Sequence, residues 1–195
     1  MKILVTGGSG MVGRCLKDII NVSKYNKEKF IFLSSKDCDL TKIDKVDELF
    51  KGIKPDYIIH LAANVAGLFK NLRENVSMFR DNIRINENIL EMANKYDVQK
   101  GIFCLSSCIY PIKPSKFPMD ETMIHESEPH YSNEGYAYSK RMMAMQCSNY
   151  NKQFGRQYIC LIPVNLYGPY DNFNLQDSHV APGLIHKFYN YKKFN

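Results

Sequence analysis

An apolar strand that runs straight into spaced glycines constrains this chain more than any other feature. Ile3-Leu4-Val5-Thr6 leads directly into Gly7-Gly8-Ser9-Gly10-Met11-Val12-Gly13. Read as G-x-x-G-x-x-G, Gly7 permits the tight turn and Gly10 lets a pyrophosphate approach the backbone. Gly13 lets the following helix pack close to the sheet, and Met11 and Val12 lie where its first amides face an anion. Glycines also serve ordinary turns. Their place at residue 7, between strand and helix, is what points to a dinucleotide cradle.

The rest of the chain alternates in the same way. Strands are expected at Ile3–Thr6, Phe30–Leu33, Tyr57–Leu61, Gly101–Leu105 and Tyr158–Ile162, each a continuous apolar run suited to burial on both faces of a parallel sheet. Helices are expected at Met11–Val22, Ile43–Lys51, Asn75–Tyr96 and Tyr136–Phe154. The alternation implies an α/β fold with a doubly wound parallel sheet, Rossmann-like. Two stretches, Pro111–Gly135 and Asn165–Pro182, read as long irregular loops. Both follow strands, and ligands of such folds bind outside the carboxyl ends of the strands, so both are expected to wall the site.

Composition excludes several classes. With 195 residues, 45% of them hydrophobic and 24% charged, the chain can bury a core of its own. It has no apolar run long enough for a transmembrane helix. Its N-terminal apolar stretch is too short for a signal peptide, so a cytoplasmic location without membrane association is expected. The net charge of +6 comes from scattered lysines, which suits an enzyme of anionic substrates better than a nucleic-acid binder. Six cysteines without C-x-x-C spacing read as free thiols rather than a metal site.

The second strand speaks to the cofactor. An acidic residue at its end would hold a ribose 2′-hydroxyl and mark NAD. Here Leu33 is followed by Ser34-Ser35-Lys36, hydroxyls and an ammonium that suit a 2′-phosphate, hence NADP(H). Asp37 is next in line and could serve NAD if the strand runs longer. Asp39 and Leu40 follow where such folds hold the adenine.

Tyr136 and Lys140 lie four apart on one helix face. An ammonium beside a phenol favours phenolate, which predicts a lowered Tyr136 pKa and a proton donor for a carbonyl under reduction. Spacing alone is weak, because Tyr25/Lys29, Tyr96/Lys100 and Tyr189/Lys193 share it. Only Tyr136 follows a strand ending in Ser106-Ser107 and a long loop, and opens a helix. Ser106 can hydrogen-bond the same carbonyl oxygen. Cys108 can take a proton from carbon beside a ketone, although on spacing alone it reads as a buried small hydrophobe.

Gly7 to Gly13, His60-Leu61-Ala62-Ala63, Ser106, Tyr136 and Lys140 together resemble an extended short-chain dehydrogenase/reductase. Three segments resemble the GDP-L-fucose synthase family within it: residues 106–111 (SSCIYP), 163–173 (PVNLYGPYDNF) and 178–185 (SHVAPGLI). Asp120-Glu121-Thr122-Met123-Ile124-His125 also fits. The resemblance implies an NADPH-dependent 3,5-epimerase and 4-reductase acting on a GDP-linked 4-keto-6-deoxy sugar. It makes Cys108 the base and His179 the acid of epimerisation, and Ser106, Tyr136 and Lys140 the reductase residues. It assigns Leu61, Ala62, Ala63, Pro163, Asn165 and Leu166 to the cofactor, and Ser107, Cys108, Asn165, His179 and Lys187 to the substrate. It further implies a homodimer paired through the two long helices. Members of the family are substantially longer, so residues 1–164 are expected to form the NADP-binding domain and 165–195 only the beginning of a smaller substrate region. Weak NADPH binding and no measurable reductase activity are expected of these residues alone.

Overall fold

The computed structural model describes residues 1–22 and 28–194. Five parallel strands, β1 (Lys2–Thr6), β2 (Lys29–Phe32), β3 (Tyr57–His60), β4 (Lys100–Cys104) and β5 (Gln157–Leu161), form one sheet in the order β2-β1-β3-β4-β5. The connecting helices are α1 (Met11–Val22), α2 (Ile43–Ile53), α3 (Leu68–Arg73), α4 (Asn75–Lys95) and α5 (Glu134–Phe154), and α6 (Val180–Phe194) follows the last strand. Each expected strand is observed to within one residue at either end. The order reverses between β1 and β3, and the crevice at the carboxyl ends of those strands is where such a sheet takes a ligand.

The core explains why the apolar runs are continuous. Leu4, Ile58 and Phe103 from three neighbouring strands are fully or almost fully buried, and they meet Val46 and Phe50 of α2, Ile89 and Leu90 of α4, and Met143 of α5. The largest helix contact lies between α4 and α5. At the centre, a buried polar chain crosses from sheet to helices. Thr6 Oγ1 and His60 Nδ1 are 2.7 Å apart, His60 Nε2 and Asn86 Oδ1 3.1 Å, and Asn86 Nδ2 donates to the Ser139 carbonyl at 3.4 Å. Burial and the nearby Lys140 push the His60 pKa down to about 3, so the ring is neutral. The amide oxygen of Asn86 then calls for the proton on Nε2, leaving Nδ1 to accept from Thr6.

Two expectations are corrected. The stretch 165–182 is irregular only to His179, because Val180 already opens α6. Pro182 does not prevent this, since a first-turn residue has no intrahelical N–H bond to lose. Pro111–Gly135 does not wall the cleft. It is spent on two short 3-10 turns (Glu121–His125 and Tyr131–Asn133), and it buries Met123 and Ile124 while Ser115 hydrogen-bonds Glu126. Helix α3 was not foreseen. Its Leu68, Phe69 and Leu72 are all at least half exposed, so its apolar residues mark no buried face.

The glycine turn shows why two of its positions take no side chain. Gly7 sits at φ +71, in the left-handed region, and a Cβ there would lie 2.7 Å from the Ala62 backbone nitrogen. At Gly13 a Cβ would lie 2.5 Å from the Gly7 carbonyl oxygen and 2.6 Å from Gly8 Cα, which is how closely α1 rests on the strand it follows. Gly13→Ala should therefore cost about 1–3 kcal/mol of stability. Gly52→Ala, in a helix where a Cβ meets nothing within 4 Å, should gain up to about 1 kcal/mol. Urea unfolding of both variants checks the contrast; equal midpoints would contradict the packing described.

Candidate active site

A cleft of about 830 Å³ opens at the carboxyl edge of the sheet. Gly7, Gly10, Met11, Val12 and Gly13 form its floor, and Leu33, Ser34, Ser35, Asp39 and Leu40 form one end. Leu61, Ala62 and Ala63 line the middle. Ser106, Tyr136, Lys140, Pro163, Asn165, Leu166 and His179 close the other end. The first turn of α1 carries no acidic residue, so its free amides and partial positive charge stay available to an anion. An elongated cleft with a glycine turn at its floor and a helix N-terminus aimed into it fits a dinucleotide.

The wall after β5 is held down by contacts remote in sequence. Tyr170 donates its hydroxyl to Asp18 at 2.9 Å and lies under the Arg14 guanidinium, 5.4 Å from the ring centre. Gly67 N donates to the Asp177 carbonyl at 3.0 Å, and His186 Nδ1 reaches the Phe173 carbonyl at 2.6 Å. This wall adds Tyr170, Asp171 and Asn172 to the lining, as the segment after β3 adds Asn64 and Val65 and α4 adds Ile85. The expectation that the 165–182 stretch would wall the site is met by Tyr170, Asp171 and Asn172, although sequence reasoning named none of the six as a site residue. The motif Gly168-Pro169-Tyr170-Asp171-Asn172 was the signal that could have marked three of them.

At the second-strand end, Asp37 folds back. Its Oδ2 accepts from both the Ser34 amide and the Ser34 hydroxyl at 2.7 Å, which holds its carboxyl below the usual range. Asp37 is not among the lining residues. Lys36 is exposed on the same turn and likewise does not line the cleft. Asp39 accepts from the Thr41 amide at 3.0 Å and hydroxyl at 2.7 Å, and its carboxyl is held low for the same reason.

Lys140 is the buried lysine of the cleft. It is 1% exposed, donates to the Cys104 carbonyl at 2.8 Å, and lies 5.7 Å from the Tyr136 ring centre. Burial lowers its pKa from 10.5 to about 8, against the pull of the neighbouring cysteines. The phenol of Tyr136 is raised above its ordinary 10.0, first by burial and then by Cys108 and Cys104. The expectation that Lys140 would lower it is therefore corrected: burying a phenolate outweighs an ammonium whose own charge is penalised by burial. Tyr136 stays protonated, as a donor must. Of the other Tyr/Lys pairs, Tyr96 caps α4 and Lys100 opens β4. Tyr189 and Lys193 share a face of α6, with the Lys193 nitrogen 6.0 Å from the ring centre, and neither lines the cleft. Tyr25 lies outside the described residues.

Ser106 ends the strand β4 run with its hydroxyl accepting from the Cys108 amide at 3.4 Å. Ser107 and Cys108 follow it directly in the 3-10 turn Ser107–Ile109 and do not line the cleft. Burial pushes the Cys108 thiol up, while Ser106, Lys140 and Arg141 pull it back. His179 is exposed on the opposite wall, directly before α6, and Lys187 is exposed on α6 outside the cleft. Among the described residues, no group of three or more histidine, cysteine or carboxylate side chains is placed to hold a metal ion.

The description "NAD dependent epimerase/dehydratase family" matches residues 3–194. The chain belongs to that family. Within this epimerase/dehydratase family it is 47% identical over 187 residues to the GDP-L-fucose synthase of Dictyostelium discoideum, covering 96% of this chain and 58% of that protein. It is 32% identical over 188 residues to the GDP-L-fucose synthase of Escherichia coli, with the same coverages. The crystal structure of a GDP-L-fucose synthetase from Naegleria fowleri bound to NADP superposes with a TM-score of 0.90 at 44% identity, covering 98% of this chain and 62% of that one. The chain thus spans about three fifths of the length of these relatives.

The buried lysine makes a pH prediction. Between about pH 8 and 10.5 the unfolded chain holds the Lys140 proton and the folded chain does not, so this group makes stability rise with pH there. Below that window both states are protonated and the full cost of burying the charge applies. The stability difference between the unmutated chain and Lys140→Met should shift in favour of lysine as pH climbs through the window. A difference independent of pH, measured by urea unfolding, would contradict this.

Proposed function

We propose that the chain forms the NADP(H)-binding part of an epimerase/reductase that converts GDP-4-keto-6-deoxy-D-mannose to GDP-L-fucose. The observation that carries the reading is one cleft with the glycine turn at its floor and Ser106, Tyr136, Lys140 and His179 at one end. The relatives named above add the substrate class. In this reading residues 1–164 hold the cofactor and 165–195 begin the substrate region.

Bound NADPH supplies the hydride. The chain's residues do the rest. The amides of the 10–13 turn take the pyrophosphate, and Ser34, Ser35 and Lys36 take the 2′-phosphate. Ser106 donates a hydrogen bond to the C4 ketone oxygen, and Tyr136 gives it a proton as the alcohol forms. Lys140 holds the nicotinamide ribose and offsets negative charge left on the phenol. Before reduction the same ketone acidifies C3 and C5. Cys108, as thiolate, removes a proton from each of these carbons, and His179 returns one on the opposite face. Asn165 and Leu166 would hold the nicotinamide and sugar, and Ser107 and Lys187, which lie outside the cleft as these residues form it, would hold the sugar and the substrate diphosphate.

We also propose a two-fold dimer through α4 and α5, in the cytoplasm. Val76 is 78% exposed and Phe79 42%, and with Tyr138 and Met142 they line a shallow apolar depression across the two helices. An apolar patch of this kind calls for a cover. Among the described residues no helix is long and apolar enough to cross a membrane.

The test has two arms. NADPH should bind more tightly than NADH in a fluorescence titration, with Lys36→Glu narrowing or reversing the gap; equal affinity for the two would defeat the NADP reading. In the full-length enzyme given GDP-4-keto-6-deoxymannose, Cys108→Ser should impair solvent deuterium exchange at C3 and C5 far more than hydride transfer, while Tyr136→Phe should impair reduction and leave exchange intact. Because the thiol is held above its ordinary 9.0, exchange should still be rising with pH at 9, where protonated Tyr136 keeps reduction running. Exchange at an unmutated rate in Cys108→Ser would make Cys108 a packing residue.

A further inference from the structure

Helix α5 carries, next to Lys140, a second buried cation to which the reading above gives no role. Arg141 is 4% exposed. Its Nε donates to the Ile109 carbonyl at 2.7 Å, and its guanidinium carbon lies 5.5 Å from the Tyr138 ring centre. Nη2 is buried and has no hydrogen-bond partner among the described residues. A guanidinium left short of acceptors in the interior is costly, and arginine keeps its charge wherever it is placed. A methionine or leucine would fill such a position without that cost. The place therefore has a use for the charge.

That use is visible in what the guanidinium holds. Ile109 closes the 3-10 turn Ser107–Ile109, and Cys108 is the middle residue of that turn. Ile109 is fully buried, and within the turn its amide donates to the Ser106 carbonyl and the Tyr110 amide to the Ser107 carbonyl, both at 3.2 Å, while the Cys108 amide donates to Ser106 Oγ at 3.4 Å. Beyond the turn itself the Ser107 amide donates to the Pro163 carbonyl at 3.2 Å, and the Arg141 bond, at 2.7 Å, is the shortest of all these and the one that ties the turn to α5.

We propose that Arg141 is the positioning residue of Cys108: its guanidinium fixes the 107–109 turn to helix α5 through the Ile109 carbonyl and so holds a permanent positive charge against the residue next to the thiol. The assignment deepens the reading of Cys108 as base and rests on it for its catalytic meaning. A base on a loose turn would wander relative to Tyr136 and Lys140, and a tie to their own helix keeps the two centres in register. Arg141 moves no proton. The groups that face Cys108 are Ser106 from the strand end, and Lys140, Arg141 and Tyr136 from α5. Tyr138 and Glu128 face Arg141 in turn. Of the two cations, Lys140 is already committed to the Cys104 carbonyl and titrates at about 8, so at the alkaline end Arg141 alone remains charged.

The test reads the thiol directly and does not depend on turnover. The chain is alkylated with iodoacetamide across the pH range, and the rate at each cysteine is followed by peptide mass spectrometry. Arg141→Met should move the Cys108 midpoint to higher pH, lowering its alkylation at a fixed pH below that midpoint by about three- to tenfold. Cys104, whose titration is shaped by burial and Lys140, serves as the internal reference and should keep its midpoint. Arg141→Lys, which keeps the charge, should recover most of the loss. If Arg141→Met does not fold, Arg141→Gln removes the charge while leaving a donor for the Ile109 carbonyl, and the same upward shift is expected.

An unmoved Cys108 midpoint in a folded neutral variant would overturn the proposal. So would a rise in reactivity of Cys108 and Cys104 together, which would make Arg141 a packing residue. Deuterium exchange at C3 and C5, measured on the same substitutions in the full-length enzyme, should fall more than reduction does. If the protein proves to have no epimerase activity at all, the thiol titration still decides the role of Arg141.

Discussion

The site is organised around a lysine ammonium that has been taken almost entirely out of water. Lys140 is tolerated because its nitrogen finds the Cys104 carbonyl at the end of β4, and because cysteines and an aromatic face surround it. To bring that nitrogen to that carbonyl, α5 must lie close across the sheet. The close packing of α5 on α4 and the polar chain Thr6–His60–Asn86–Ser139 hold it there. The same charge then reaches its neighbours. It helps keep His60 neutral and pulls on the Cys108 thiol. Tyr136, on the same face one turn earlier, remains a protonated acid because burial of the phenolate dominates.

A second constraint is steric. The sheet order places β1 and β3 side by side where the topology reverses, and the crevice there accepts a ligand only if the β1–α1 turn stays low. Gly7 and Gly13 keep it low, one by its positive φ and the other by letting α1 rest on Gly8. One cleft thus runs from Leu40 to His179, and in the proposed reading the helix N-terminus and the Tyr136–Lys140 face serve one ligand rather than two.

Much of this was legible in the sequence, for physical reasons that differ by element. The parallel strands announce themselves because burial on both faces leaves no polar alternation to confuse them, and the glycine motif because its neighbours are a strand and a helix. Tyr136 could be told from three equally spaced pairs by its place after β4. What was not legible depends on tertiary contact. Helix α3 is short and its apolar residues are exposed. The start of α6 hides behind Pro182, which a first turn accepts. Which residues of the 165–182 stretch would reach the cleft was not legible, because Tyr170, Asp171 and Asn172 sit where contacts remote in sequence, Arg14 and Asp18 among them, hold their loop. The direction of the Tyr136 shift could not be had from spacing, since it turns on how deeply the phenol is buried. Arg141 looks like one more helix lysine or arginine until its partner, the Ile109 carbonyl, is seen.

The central claim is that the glycine turn and the Tyr136–Lys140 face belong to one NADP(H) site. Backbone amide NMR of the chain titrated with NADPH tests it most directly. The account predicts that resonances of Gly7 to Gly13, Ser106, Tyr136 and Lys140 move together along one saturating curve. Shifts confined to one end of the cleft, or two curves with different midpoints, would contradict it.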